Sequence, residues 1–127
     1  MIFGIGTDIV TVARIEAATE RHGAAFAARI LSESEMSEYM AHAYPARFLS
    51  KRFAAKEAFS KATGQGLRHP ISLRNISVTH DEMGKPAFQF DEELSAHLKQ
   101  LGIVRHYLSI SDERDTAVAF VILEGEG

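Results

Sequence analysis

Phe48-Leu49-Ser50-Lys51-Arg52-Phe53-Ala54-Ala55-Lys56-Glu57-Ala58-Phe59-Ser60-Lys61-Ala62-Thr63-Gly64-Gln65-Gly66 is the stretch from which the fold can be read. It contains no proline, is rich in Ala, Lys and Phe, and closes on Gly-x-Gly, the pattern of one long helix with a glycine stop. Phe48, Ala55, Ala58, Phe59 and Ala62 fall on one stripe and should face a core. Glu57 and Lys61, four residues apart, share the opposite face. The charge is uneven. From Arg47 to Arg74 seven Lys or Arg accompany one acid, Glu57, so this segment carries +6 in a chain whose net charge is −3. A single carboxylate inside a cationic helix suits a site that holds a polyanion and a divalent cation together.

Towards the N-terminus, Ile2 to Val10 alternates as a strand. Phe3, Ile5, Thr7 and Ile9 point one way; Ile2, Gly4, Gly6, Asp8 and Val10 point the other. Glycine within a strand marks close approach by a ligand or another backbone. Two glycines on the face of Asp8 suggest open space beside that carboxylate; the plainer reading is a bend with Asp8 capping the next helix. Val12 to His22 reads as a helix with Ile15 and Ala18 inward and Arg14 and Arg21 outward. Gly23 punctuates, Ala24 to Leu31 continues as a short helix packing Phe26 and Ile30, and Ser32-Glu33-Ser34-Glu35 is a capping box for a helix to about Ala41. Pro45 then starts the long helix.

Beyond Gly66, Leu67 to Ser72 is a loop and Leu73 to His80 reads as a strand. Asp81 to Pro86 forms a hairpin-type turn, and Ala87 to Phe90 returns as its partner. Asp91 caps a helix with a Leu94, Leu98, Leu101 stripe and a Gly102 stop. Val104 to Ser111 and Thr116 to Leu123 are closing strands. The last is apolar on both faces, so both should be covered, one of them by another subunit in a domain this small.

The 127 residues, 46% hydrophobic and 24% charged, make one domain, 1–127, without repeats or low-complexity segments. No apolar run reaches the roughly 20 residues that span a bilayer, and no signal peptide is expected. Cysteine is absent, which removes disulfides and thiolate chemistry and agrees with a cytoplasmic location. Overall acidity argues against nucleic acid as partner. The six histidines lack zinc-type spacing, and neither a dinucleotide fingerprint, a Walker motif nor a serine nucleophile elbow occurs. What remains is a pair of carboxylates. If Asp8 and Glu57 meet, they suit magnesium, with Lys61 one turn on as a point charge for a phosphate oxygen. The competing reading is a surface ion pair between Glu57 and Lys61, worth about 0.3–0.5 kcal/mol.

Gly4-Ile5-Gly6-Thr7-Asp8-Ile9-Val10, with Arg14-Ile15 beyond, resembles the opening motif of the holo-[acyl-carrier-protein] synthases. Phe53 to Gly66, with its Lys-Glu-Ala and later Lys-Ala, is similar to their second signature, and Gly84-Lys85-Pro86 and His106 to Ser111 also match. The resemblance runs essentially the whole length. It implies an α+β fold, a 4'-phosphopantetheinyl transferase-like half-domain in which an antiparallel sheet packs with a long central helix and three chains associate as a homotrimer. It implies transfer of the 4'-phosphopantetheine arm of coenzyme A to a serine of apo acyl carrier protein in fatty acid biosynthesis, releasing adenosine 3',5'-bisphosphate. By position, Asp8 and Glu57 resemble the magnesium ligands (manganese as a substitute), and Asp8, Glu57 and Lys61 the catalytic set. Arg52, Ser60, Lys61, Gly64, Pro86 and His106 would lie against coenzyme A, with the two sides of a site coming from different subunits. Arg14 and Arg21 offer a cationic face to the carrier protein; for Arg21 a solvated helix surface is an equal reading. The serine proton passes to Glu57 or to a metal-bound water. Some members carry histidine where Asp112 stands, so no role is assigned there. The alternatives are a non-catalytic coenzyme A or nucleotide-binding module and a purely structural oligomer-forming domain. A transferase of broader carrier range is a third, but such chains look like two half-domains fused.

Overall fold

Gly4 and Gly6 bring strand β1 (Ile2–Thr11) against helix α4 (Pro45–Thr63) almost backbone to backbone. A Cβ on Gly4 would stand 1.9 Å from the Ala62 carbonyl oxygen, and one on Gly6 the same distance from that of Ala58. The space beside these glycines is therefore filled by the helix, and no ligand cavity opens there. Asp8 does not cap the next helix either: Thr11 occupies the N-cap position of α1 (Val12–His22).

The computed structural model describes every residue from Met1 to Gly127. After α1 come α2 (Ala24–Ile30), α3 (Glu33–Ala41) and α4, then β2 (Ile76–His80), β3 (Pro86–Phe90), α5 (Glu92–Gln100), β4 (Ile103–Asp112) and β5 (Thr116–Gly125). The start and stop signals work as expected. Pro45 opens α4 and Gly64 closes it at φ 77°. The Ser32 amide donates to Glu35 Oε1 at 3.0 Å, and the Leu94 amide donates to Asp91 Oδ1 at 2.9 Å. One boundary differs. Leu73–Asn75 is a 3-10 turn and the strand begins at Ile76. The turn is held by the Asn75 amide on Ser72 Oγ and by Asn75 Nδ2 on the Pro70 carbonyl, side-chain bonds that compete with strand pairing.

The last strand runs through the middle of the main sheet, whose antiparallel order is β1-β5-β4, and β2 and β3 form a separate pair. Helix α4 covers one face of the main sheet. Ala117, Ala119, Val121 and Leu123 of β5 are buried beneath it, and Phe59 of α4 meets Phe88 and Phe90 of β3 at 5.3 and 4.9 Å between ring centroids. The other sheet face has no cover within the chain. Ile5, Ile9 and Phe120 are 54%, 67% and 47% exposed there, side by side across β1 and β5. No helix is long and apolar enough to cross a membrane.

Helix α4 is buried on more than its apolar stripe, which corrects the charge reading. Lys56 is fully buried, donating to Glu35 Oε1 and, at 2.7 Å, to the Ile30 carbonyl. Arg52 is buried as well, bonded to Glu35 Oε2, Glu38 Oε2 and the Val78 carbonyl at 3.2 Å each. Two of the seven cations are thus spent inside the fold on acids of α3. The excess that faces solvent is smaller than the sequence suggested.

Candidate active site

Asp8 sits near the end of edge strand β1, opposite Ala119 of β5, and α4 brings Glu57 and Lys61 to it. The backbone contact at Gly4 and Gly6 sets this approach, because it fixes how closely α4 lies on β1. Lys61 Nζ donates to Asp8 Oδ1 at 3.0 Å and to the Thr7 carbonyl at 3.1 Å. The competing reading of a Glu57–Lys61 ion pair is not met, since Lys61 pairs with Asp8. Glu57 is half-buried and its carboxyl is held above the usual range, first by burial and then by the charge of Asp8; Lys61 and Arg14 pull the other way. That coupling ties Asp8, Glu57, Lys61 and Arg14 into one neighbourhood.

Two carboxylates near enough for one to act on the other's charge suit a divalent cation. They are hard oxygen donors, their mutual repulsion is what such a cation relieves, and a set of two leaves coordination positions for water and phosphate oxygens. No third acid, histidine or cysteine completes a ligand cluster.

The other residues named from the sequence fall in three places. Ser60 Oγ is buried and donates to the Glu57 carbonyl at 2.7 Å, so it braces the helix turn that carries Glu57. Gly64 lies open at the C-terminal end of α4. Arg52 and Pro86 line a polar cavity of about 300 Å³ together with His42, Lys51, His80 and Asp112. Pro86 and His106 line a second, adjoining cleft of about 490 Å³ between β3 and β4. The His106 ring packs on Phe90 at 5.0 Å, its Nδ1 is buried without a hydrogen-bond partner, and burial pushes the imidazole below its usual range. Arg21 is exposed in the last turn of α1.

Two groups result. Asp8, Glu57 and Lys61 meet at β1, while Arg52, Pro86 and His106 gather toward β2, β3 and the opposite edge strand β4. One chain does not bring the two groups together. The sequence reading missed His42, Lys51 and His80 in the cavity, as they carry no spacing signal. It also gave no role to Asp112, which pairs with Arg47 at 3.2 Å. Glu35 was visible only as half of a capping box, although its two oxygens also hold Arg52, Lys56 and the Val78 amide.

A model of the 4'-phosphopantetheinyl transferase superfamily matches residues 4–121, which sets the class of protein. The chain is 57% identical over 124 residues to the holo-[acyl-carrier-protein] synthase of Nitrosomonas europaea, covering 98% of this chain and 99% of that one. The crystal structure of the Neisseria meningitidis synthase superposes with a TM-score of 0.95 at 51% identity, over 98% of this chain and 99% of that one. The Bacillus anthracis synthase in complex with CoA (3',5'-ADP) gives 0.81 at 36% identity, over 99% of both. Within the superfamily, the chain belongs to the holo-[acyl-carrier-protein] synthase family.

Proposed function

We propose that this chain transfers the 4'-phosphopantetheine arm of coenzyme A to a serine hydroxyl of an apo acyl carrier protein, leaving holo-carrier and adenosine 3',5'-bisphosphate. The observation that carries the reading is the convergence of Asp8, Glu57 and Lys61, from residues far apart in sequence, in a chain of this family.

In this reading Asp8 and Glu57 would hold magnesium, or manganese in its place. When bound, the ion supplies positive charge that neutralises the diphosphate and the departing bisphosphate. Lys61, exposed and on a flexible stem, moves from Asp8 to a phosphate oxygen and adds a second cationic contact as charge builds. The serine oxygen bonds to the phosphorus that bears the pantetheine arm, and the bond from that phosphorus to the bridging oxygen breaks, in line. The electron pair leaves with the bisphosphate. The serine proton goes to a base, and Glu57 is this chain's own candidate, since a carboxyl held above its ordinary range is a stronger acceptor. No nucleophile is needed from the chain, because the carrier brings it.

The same proposal includes a homotrimer. Its support is the uncovered apolar sheet face, and the separation of the two residue groups within one chain. In the assembly, Asp8, Glu57 and Lys61 of one subunit face Arg52, Pro86 and His106 of its neighbour across the coenzyme. Arg14, beside Glu57, and Arg21 further along α1 form the docking face for an acidic carrier. A cytoplasmic location belongs to the same reading.

Incubating the protein with coenzyme A, magnesium and an apo carrier tests the activity. The expected result is a carrier heavier by one phosphopantetheine arm, with one bisphosphate released. Coenzyme A binding without that gain would make the chain a non-catalytic coenzyme-binding module.

A further inference from the structure

We propose that His80 is a further ligand for the phosphate monoester of coenzyme A, and that it takes up a proton as that phosphate binds. The inference rests on the reading above that coenzyme A is the substrate.

His80 ends β2, opposite Pro86 in register, and these two residues form the wall shared by the polar cavity and the adjoining cleft. Its imidazole makes no hydrogen bond to the rest of the chain, so both ring nitrogens are available to a ligand. Across the cavity stand Lys51 and Arg52 of α4, which face it with positive charge. Glu38 of α3, Asp81 and Lys85 of the following turn, and Asp112 of β4 complete the charged surroundings. Arg52 is already held by Glu35, Glu38 and the Val78 carbonyl, whereas Lys51 has no ion-pair partner. The cavity thus keeps one free ammonium, one tethered guanidinium and two imidazoles.

The free protein holds His80 below the usual histidine range, first through burial and then through Arg52; Glu38 opposes, Lys51 adds, and Asp81 opposes. Burial and Arg52 thus favour its neutral form in the free protein. A phosphate dianion between His80 and Lys51 reverses that balance, because an opposite charge at hydrogen-bonding distance favours the imidazolium. His42 does not share this role. Its Nδ1 already accepts the Tyr44 amide at 3.0 Å, so only one of its ring nitrogens is left for a ligand. The ligand group is a monoester because its second ionisation lies near pH ~6, leaving it a dianion at pH 7. A diphosphate diester offers one charge on each phosphorus and no such dianion.

Calorimetry at pH 7 in two buffers of different ionisation enthalpy counts the protons. Wild-type protein should take up a fraction of a proton on binding coenzyme A and none on binding dephospho-coenzyme A, which lacks the monoester. Each pH unit by which binding raises the histidine's titration corresponds to about tenfold in affinity, so His80→Gln should bind coenzyme A roughly tenfold more weakly at pH 6.5 and near normally at pH 8.5. His80→Lys, a fixed cation on an exposed position, should keep the affinity and lose the pH dependence. Equal proton uptake with both ligands, or uptake that survives in His80→Gln, overturns the proposal. Tight binding and turnover without proton uptake overturns it alone; no binding of coenzyme A by wild type overturns the functional reading with it.

Discussion

Lys61 Nζ stands 3.0 Å from Asp8 Oδ1, on the neighbouring strand, and not on Glu57, its neighbour one turn back on the same helix. The ammonium thus rests on one of the two carboxylates proposed to hold a cation. Lys61→Met removes a competitor for Asp8 as well as the proposed contact to the transferring phosphate. The expected result is a turnover loss of about a hundredfold, the scale of one charge-stabilising group. Manganese should bind as tightly or tighter by titration in the absence of coenzyme A. Weaker manganese binding would mean that Lys61 organises the carboxylates instead of competing for them.

Glu57→Gln separates chemistry from folding. The carboxyl is raised in the folded state, so the folded protein keeps that proton to higher pH than the unfolded chain, and its ionised form is destabilising. That cost is absent below the ordinary carboxylate pKa and complete above the folded one. In chelator at pH 7 the variant should therefore melt at or above the wild-type temperature, with the difference vanishing near pH ~4. Turnover should fall by about a thousandfold or more. Near-wild-type activity would remove Glu57 from the site.

Sequence reading reached the fold where local signals were strong, and the physics of each element explains why. Pro45, Gly64 and Gly102 punctuate helices through backbone geometry and Asp91 through a side-chain cap on the first turn, and neither depends on tertiary context. Alternation placed Gly4, Gly6 and Asp8 on one face of β1 correctly. What filled the space beside them was not legible, because a glycine records that something comes close without saying what. Charge was read least well. Arg52 and Lys56 carry the same letters as any solvated cation, and their burial depends on Glu35, remote in sequence and bonded to both. The pairing of Lys61 with Asp8 depends likewise on the β1–α4 contact.

Glu35 ties α3, α4 and β2 together through one buried carboxylate. Burial alone would raise its pKa; Lys56 and the Ser32 and Val78 amides outweigh that and hold it low. Its contribution is present above the ordinary carboxylate pKa and lost as pH falls through the folded value. Burial pushes Lys56 down to about 8, with Glu35 opposing and Arg52 adding. Glu35→Gln should cost about 3–5 kcal/mol at pH 7, because it strands a buried ammonium. In urea unfolding the deficit should shrink at pH 9, where an unpartnered Lys56 sheds its proton, and Glu35→Gln/Lys56→Met should recover much of it. A deficit that is equal at both pH values would show that the lost hydrogen bonds matter and the stranded charge does not.

The uncovered sheet face makes the last prediction. Ile5 and Phe120 are exposed within the chain, so Ile5→Arg and Phe120→Arg leave the core under α4 untouched while placing charge on a surface proposed to meet its neighbours. Sedimentation should shift from the mass of three chains to that of one, and transfer activity should fall together with it while circular dichroism is retained. The proposed sharing of sites between subunits permits a sharper test with the apolar face intact. Glu57→Gln should spoil one side of each proposed site and Pro86→Glu, in the lining of the polar cavity, the other. In equal mixtures of the two inactive chains, unfolded and reassembled together, a site works when each neighbour supplies its intact side. Random assembly in a ring gives about one quarter of wild-type activity. Recovery near that fraction requires inter-subunit sites; no recovery at any mixing ratio would place the whole site within a single chain.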